Sequence, residues 1–246
     1  MAAAQAPRAQ PPRARPSRAL VTGSSSGIGA AISRNLLAAG WWVQGLDRAS
    51  ADIEHARFEA CTVDLLDPTA TALHLQAALA GSTPQALVHA AGVLRPAPLG
   101  QLNAADGQLM WQLHVQAATQ LANAVLPAMA QAGSGRVVLI GSRISTGMPG
   151  RSQYAATKAA LVALARSWAA EVATRGVTVN VVSPAATATA MLNSPSRLGS
   201  APRLPPIGRL IQPEEVAALV AYLLSPEAAA ITGQDIAICG GATLPL

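Results

Sequence analysis

Arg18-Ala19-Leu20-Val21-Thr22-Gly23-Ser24-Ser25-Ser26-Gly27-Ile28-Gly29 joins a short apolar run to an Ala/Leu-rich segment through a turn holding three glycines. The run reads as a buried strand over 18–22, and the segment that follows as a helix over 27–39 ended by Gly40. Glycines at such a junction let the chain turn sharply and let backbone approach a bound group closely. The helix N-terminus adds unpaired N–H groups and the positive end of the helix dipole, so the turn suits a pyrophosphate. A flexible Gly/Ser linker is the bland alternative, but a linker has no reason to sit between a strand and a helix.

Outward from this turn the same alternation continues to the end of the chain. Strands are expected over 41–46, 58–63, 86–89, 136–140, 177–182 and 235–238, and helices over 68–80, 105–131, 152–175 and 213–224. Gly133 and Gly176 close the two long helices, and Pro213 opens the last. Strands alternating with helices of this length imply an α/β fold, a Rossmann-type doubly wound parallel sheet in a single domain over 18–246. Such sheets bind ligands beyond the carboxyl ends of their strands, so the chemistry belongs in the loops that follow them.

Composition agrees and narrows the function classes. With 51% apolar residues in 246 the chain has ample core material, and 3% aromatic content leaves that core to Ala, Val and Leu. The net charge of +5 raises nucleic-acid binding. Yet Arg8, Arg13, Arg15 and Arg18 lie in or beside an N-terminal stretch, and no basic run follows. That stretch, 1–17, is Ala/Pro/Gln/Arg without periodicity and is expected to be a disordered tail. No apolar run approaches the ~18 residues of a membrane span. Two cysteines, Cys61 and Cys239, make no disulfide framework, which fits a reducing cytoplasm. A small-molecule ligand is expected, with neither nucleic acid nor membrane as partner.

Asp47 ends the second strand. A carboxylate there can accept hydrogen bonds from both adenosine ribose hydroxyls and repels the 2′-phosphate of NADP. Arg48 is the counterweight, since an arginine beside that site accommodates the phosphate. NAD(H) is therefore the expected cofactor and NADP(H) the alternative. Asp64, after the third strand, is placed to meet the adenine edge or to serve as a turn residue ahead of Pro68.

At the other end, Tyr154-Ala155-Ala156-Thr157-Lys158 puts a phenol and an ammonium on one helix face, since residues i and i+4 are neighbours there. A free phenol has a pKa near ~10, too high for a base at neutral pH, and a nearby ammonium favours the phenolate. Lys158 is the only lysine of the sequence. A chain that otherwise uses arginine for its cations keeps a compact ammonium at this one place. A Tyr/Lys pair on a solvated face is the bland alternative. Ser142, ending the fifth strand, can hold a substrate oxygen on which charge develops, with Ser145 as the fallback.

With these residues in hand, the chain resembles the short-chain dehydrogenase/reductase family over 18–243. The resemblance rests on Thr22-Gly23-x-x-x-Gly27-x-Gly29, Ala91-Gly92, Ser142 and Tyr154-x-x-x-Lys158. It extends to Asn180-Val181-Val182-Ser183-Pro184, Ile231-Thr232-Gly233-Gln234 and Gly240-Gly241. It implies hydride transfer with Tyr154 as acid/base, helped by Ser142 and by Lys158, which also holds the nicotinamide ribose. The cofactor set it implies is Gly23, Ser25, Gly27, Ile28, Gly29, Asp47, Asp64, Leu65, Ala91, Gly92, Tyr154, Lys158, Pro184, Thr187 and Thr189. Thr187 and Thr189 would approach the nicotinamide amide. It further implies no metal, and a cytoplasmic homotetramer or homodimer.

Four positions depart from the family pattern. His89-Ala90-Ala91-Gly92 stands where Asn-Asn-Ala-Gly is usual, and His114 falls on the asparagine that holds a water of the proton relay. A histidine can hold that water, pass protons itself or simply pack. Ala185 replaces the glycine usual after Pro184, and Cys239 the usual aspartate.

The stretch 186–210 is expected to cover the substrate. It is mostly small and apolar, with Arg197, Arg203 and Arg209, which face solvent or offer a handle for a carboxylate or phosphate. Ala90 to Arg95 and the closing 240–244 look like NAD-linked cyclic dihydrodiol dehydrogenases of the 2,3-dihydro-2,3-dihydroxybenzoate type. Much else looks like 3-oxoacyl-carrier-protein reductases, which usually prefer NADPH, so Asp47 counts against them. A dinucleotide-binding regulator without catalysis is the alternative from another class, opposed by the intact Tyr154 and Lys158. A methyltransferase on a similar sheet has no use for that pair.

Overall fold

The computed structural model describes residues 17–193 and 204–244. The tail expected over 1–17 lies outside them apart from Ser17, as do Arg197 and Arg203. The described chain runs β1 (Arg18–Thr22), α1 (Gly27–Ala38), β2 (Trp42–Asp47), β3 (Phe58–Thr62), α2 (Pro68–Gly81) and β4 (Ala86–His89). It continues with α3 (Ala104–Trp111), a π-helical turn (Gln112–Gln116), α4 (Ala117–Ala132), β5 (Gly135–Ile140) and α5 (Ser152–Val172). β6 (Val177–Pro184), α6 (Pro213–Leu224) and β7 (Asp235–Ile238) complete it. The strands form one sheet in the order β3-β2-β1-β4-β5-β6-β7, parallel throughout. This is the doubly wound α/β sheet expected from the alternation.

Neighbouring residues of one strand serve opposite cores, as the two-residue period of a strand requires. Leu20, Leu87 and Leu139 pack with Leu75 of α2, Leu121 and Met129 of α4 and Leu161 of α5. The next residues, Val21, Val88 and Ile140, pack on the other face with Ile32 and Leu36 of α1 and Val216 and Leu223 of α6. Each such leucine or valine taken fully out of water contributes roughly 1.5–3 kcal/mol. A sheet covered on both faces has near-continuous apolar strands, which is why β4 and β6 are buried at every residue.

Helix ends follow local chemistry. Asp67 accepts the N–H groups of Thr69 and Ala70 at the start of α2, with Pro68 in its first turn. Gly133, at φ 69°, closes α4, and Gly176, at φ 72°, closes the short 3₁₀ turn (Ala173–Arg175) that ends α5.

The one substantial departure lies in the helix expected to run unbroken over 105–131. It is three consecutive pieces, with the π-helical turn in the middle, where Ala117 N–H bonds Gln112 O. Such a turn holds one more residue than an α turn and changes where later side chains point. Apolar spacing cannot reveal it, because the segments on both sides keep the ordinary helical period.

The order of strands reverses direction between β1 and β4. The loops leaving these two adjacent strands open a crevice at the carboxyl edge of the sheet, and the site is built there.

Candidate active site

Thr22 at the end of β1 joins the two loops. Its Oγ1 accepts the backbone N–H groups of Ala90 and Ala91, both at 3.1 Å. With its lone pairs so used, it donates its own proton to His89 Nδ1 at 2.9 Å. Gly23 N–H is bound to Leu46 O at 2.9 Å, which adds β2 to the same junction. The first turn of α1 then packs on the loop itself. A Cβ on Gly29 would lie 2.1 Å from Gly23 O, and one on Gly23 would lie 2.8 Å from Ala91 N. Only glycine fits at either point, so the loop backbone rather than side chains forms the floor of the crevice.

Above this floor is a cavity of about 640 Å³, well within the range of small-molecule sites. Gly23, Ser25, Gly27, Ile28, Gly29, Asp47, Asp64, Leu65, Ala91 and Gly92 line one part of it. Ser142, Tyr154, Lys158, Pro184, Thr187 and Thr189 line the other. A glycine floor, a helix N-terminus and a carboxylate at the end of β2 fit the phosphates and ribose of a dinucleotide.

The Asp47 carboxylate is anchored, not loose. Oδ2 accepts Ser25 N–H at 3.1 Å and Ser25 Oγ at 2.8 Å, while Oδ1 accepts Ala49 N–H at 3.0 Å. A carboxylate offers about four lone-pair sites, so acceptor capacity remains for a ligand hydroxyl. Arg48 also lines the cavity and is exposed. Asp64 lines it as well, with Oδ1 accepting Leu66 N–H at 3.0 Å, so it serves as a turn residue whatever else it meets.

His114, in the π-helical turn, is fully buried and stands behind the cavity rather than among its lining residues. Its Nε2 accepts Val93 N–H at 3.0 Å, so the proton of the neutral ring is on Nδ1. Nδ1 donates to Thr157 Oγ1 at 2.8 Å, which in turn donates to Tyr154 O at 2.8 Å. The imidazole also meets the Tyr154 ring edge-on, 5.6 Å between centroids. Both nitrogens are thus committed, and burial with Lys158 nearby holds the imidazole well below its usual pKa. His89 is arranged the opposite way, with Nε2 donating to Leu113 O at 3.2 Å. Burial first, then Lys158, push it down to about 3.

Lys158 is buried and donates to Ile140 O at 2.8 Å, with Nζ 5.7 Å from the centre of the Tyr154 ring. Burial lowers its ammonium to about 7. With both imidazoles held neutral, Lys158 is the titrating cation beside Tyr154. Ser142 Oγ accepts Ile144 N–H at 3.2 Å and so caps a 3₁₀ turn (Arg143–Thr146), leaving its hydroxyl proton to donate. Tyr154 and Ser142 therefore reach one cavity from two elements, α5 and the end of β5.

After β6 the chain is held by Ile211, which exchanges hydrogen bonds with Ala186 and Ala188, so Thr187 and Thr189 are fixed on the cavity wall. Arg209 points away, its guanidinium paired with both Glu215 oxygens at 2.7 and 2.9 Å. Among the lining residues that sequence gave no site role are three arginines, Arg95, Arg143 and Arg151. A signal existed for Arg143, which directly follows Ser142. The stretch Ala90 to Arg95 stood out in sequence only for its likeness to dihydrodiol dehydrogenases, which gave Arg95 itself no role.

A family model described as Enoyl-(Acyl carrier protein) reductase matches residues 23–243. The chain is 36% identical to the 3-oxoacyl-(acyl-carrier-protein) reductase FabG of Escherichia coli (strain K12), over 91% of this chain and 96% of that protein. It is 31% identical to Oxidoreductase asL5 of Sarocladium schorii, over 91% and 94%. A solved structure of a short chain dehydrogenase/reductase family protein superposes with a TM-score of 0.84 at 36% identity, covering 92% of this chain and 96% of that one.

Proposed function

We propose, on the premise that the chain belongs to the short-chain dehydrogenase/reductase family, that it moves a hydride between NAD(H) and a small alcohol or ketone, cyclic dihydrodiols included. As a member of that family it is an NAD(P)-dependent oxidoreductase of CH–OH and keto groups. The observation that carries the finer reading is a single cavity with Tyr154, Lys158 and Ser142 at one end and an anchored Asp47 at the other.

Bound nicotinamide supplies or takes up the hydride, and the chain's own residues manage the proton and the charge. Tyr154 takes the proton of a substrate hydroxyl during oxidation and returns one to the forming alkoxide during reduction. Ser142 donates to the same oxygen, which steadies the charge that develops on it. Lys158 favours the phenolate. Although burial brings its own pKa to about 7, a phenolate beside it raises it again, because each charge stabilises the other. The neutral His114 holds the Gly92–Val93 wall against α5 through Val93 N–H and Thr157.

Asp47 supports NAD(H), since its remaining acceptor capacity suits a ribose hydroxyl and its charge opposes a 2′-phosphate. A second reading, NADPH-dependent reduction of 3-oxoacyl-carrier-protein, is favoured by the name of the Escherichia coli relative and by Arg48 on the cavity wall. A non-catalytic regulator is motivated by the departures at His89, His114, Ala185 and Cys239, but Tyr154 and Lys158 on one cavity oppose it. The same proposal makes the enzyme a cytoplasmic homotetramer or homodimer. Free thiols at Cys61 and Cys239 support the location, and exposed Trp111 and Tyr222 offer apolar surface for subunits to cover.

Binding of NADH and NADPH, read by quenching of tryptophan fluorescence in wild type and Asp47→Ala, tests the cofactor assignment. Tighter NADH binding that the substitution abolishes is expected. Preferred binding of NADPH would transfer the assignment to Arg48 and to carrier-linked ketones. Tyr154→Phe should abolish turnover while dinucleotide binding persists.

A further inference from the structure

We infer that the reacting half of the cavity selects substrates bearing an anionic oxygen group, a carboxylate or a phosphate, through Arg143 with the support of Arg95. This rests on the hydride-transfer function proposed above and names the substrate class for that same site.

The charges that line the cavity are separated by sign. Its two carboxylates, Asp47 at the end of β2 and Asp64 just after β3, lie at the nucleotide end. Around Tyr154 and Ser142 the described lining residues include Arg95, Arg143, Arg151 and Lys158, and no carboxylate. Cations gathered at one end of a partly enclosed cavity, an end that no carboxylate lines, raise the potential there and favour an anionic ligand.

Arg143 is the best placed of them. It is half-buried, and among the described residues its guanidinium has neither an ion pair nor a hydrogen bond. It directly follows Ser142, on the 3₁₀ turn that Ser142 itself caps, so its backbone is fixed beside the group expected to hold the reacting oxygen. Arg95 comes from the loop after β4. That loop is joined to the segment before α5 by Ala97 N–H bonding Gly150 O at 3.1 Å, so both loops form one wall. Its one ion pair among the described residues is loose, Nε lying 3.6 Å from an Asp106 oxygen, with both side chains more than a third exposed. Such a pair neutralises little, and the other guanidinium nitrogens keep donors for a ligand.

Between the cations the wall is apolar, with Leu109, Leu113, Ile144 and Met148. The complementary ligand has an apolar body, a carbonyl or hydroxyl carbon for Tyr154, and an anionic end for a planar guanidinium, which binds carboxylate and phosphate in a bidentate manner. The anion is either the carboxylate of a small oxo or hydroxy acid or the phosphate of a larger ester.

Calorimetric binding to the full chain, saturated with whichever dinucleotide it binds, tests this with benzoate against benzamide and phenyl phosphate against anisole. At least one anion should bind about tenfold or more tightly than its neutral counterpart, the scale of one added charge-assisted bond. A winning benzoate points to oxo acids, and a winning phenyl phosphate to phosphate esters. Arg143→Gln should remove most of that preference and Arg143→Lys retain part of it, with dinucleotide affinity unchanged in both. Equal binding of anions and neutral counterparts, or a preference that survives both Arg143→Gln and Arg95→Gln, overturns the inference. Failure to bind either dinucleotide overturns the proposed function instead.

Discussion

Protonating His89 should cost the fold stability in mild acid. The imidazole is fully buried, its Nδ1 accepts from Thr22 and its Nε2 donates to Leu113 O, so a second ring proton has no acceptor to meet. Its pKa falls from 6.5 to about 3 on folding. A depressed folded pKa means the unfolded chain binds more protons below pH ~6.5, so stability present above that value is lost as pH falls toward ~3. At ~1.4 kcal/mol per unit, moving from pH ~7.5 to ~5 should remove about 2 kcal/mol through this residue. Urea unfolding at the two pH values, wild type beside His89→Asn, measures it. An asparagine can still accept from Thr22 but cannot take up the proton, so the variant should lose about 2 kcal/mol less than wild type over that interval. An identical acid loss in both proteins would refute the argument, because the buried ring would then be paying nothing to stay neutral.

Two further outcomes follow from the same cluster. His114→Phe keeps a ring but strands Val93 N–H and removes the bond to Thr157 Oγ1, and should lower stability by about 2 kcal/mol or more, whereas His114→Gln, which can accept and donate, should lower it less. Thermal or urea unfolding decides, and equal losses would mean that packing rather than bonding matters. For Lys158, with a pKa lowered from 10.5 to about 7, the unfolded state binds the extra proton between those values. Wild-type stability should therefore rise relative to Lys158→Met from pH ~7.5 to ~9.5, by up to ~1.4 kcal/mol per unit. A flat difference would mean that the ammonium stays charged inside the fold.

Much of the fold was legible because its causes are local. Runs such as Leu87–Val88 and Val137–Val138 are apolar at successive positions because both faces of their strands are covered, and Gly133, Gly176 and Pro213 mark helix ends by backbone geometry alone. The π-helical turn was not legible. Whether one extra residue is accommodated at 112–116 depends on what His114 can bond across the helix, and Val93 and Thr157 are distant in sequence.

The site divides in the same way. Chain order alone placed a glycine turn before a helix, an acid after the second strand, and a tyrosine one helical turn from a lysine, since each depends only on spacing along one element. Only the folded chain decided that Thr22 ties both crevice loops together and fixes His89 as the Nε2–H tautomer, while His114 carries its proton on Nδ1. It also decided that Arg209 is spent on Glu215, while Arg143 lines the cavity with no guanidinium partner among the described residues. Tautomers, pKa values and partners depend on which groups tertiary packing brings within about 3 Å, and on how much water it removes, and neither quantity is written in sequence spacing.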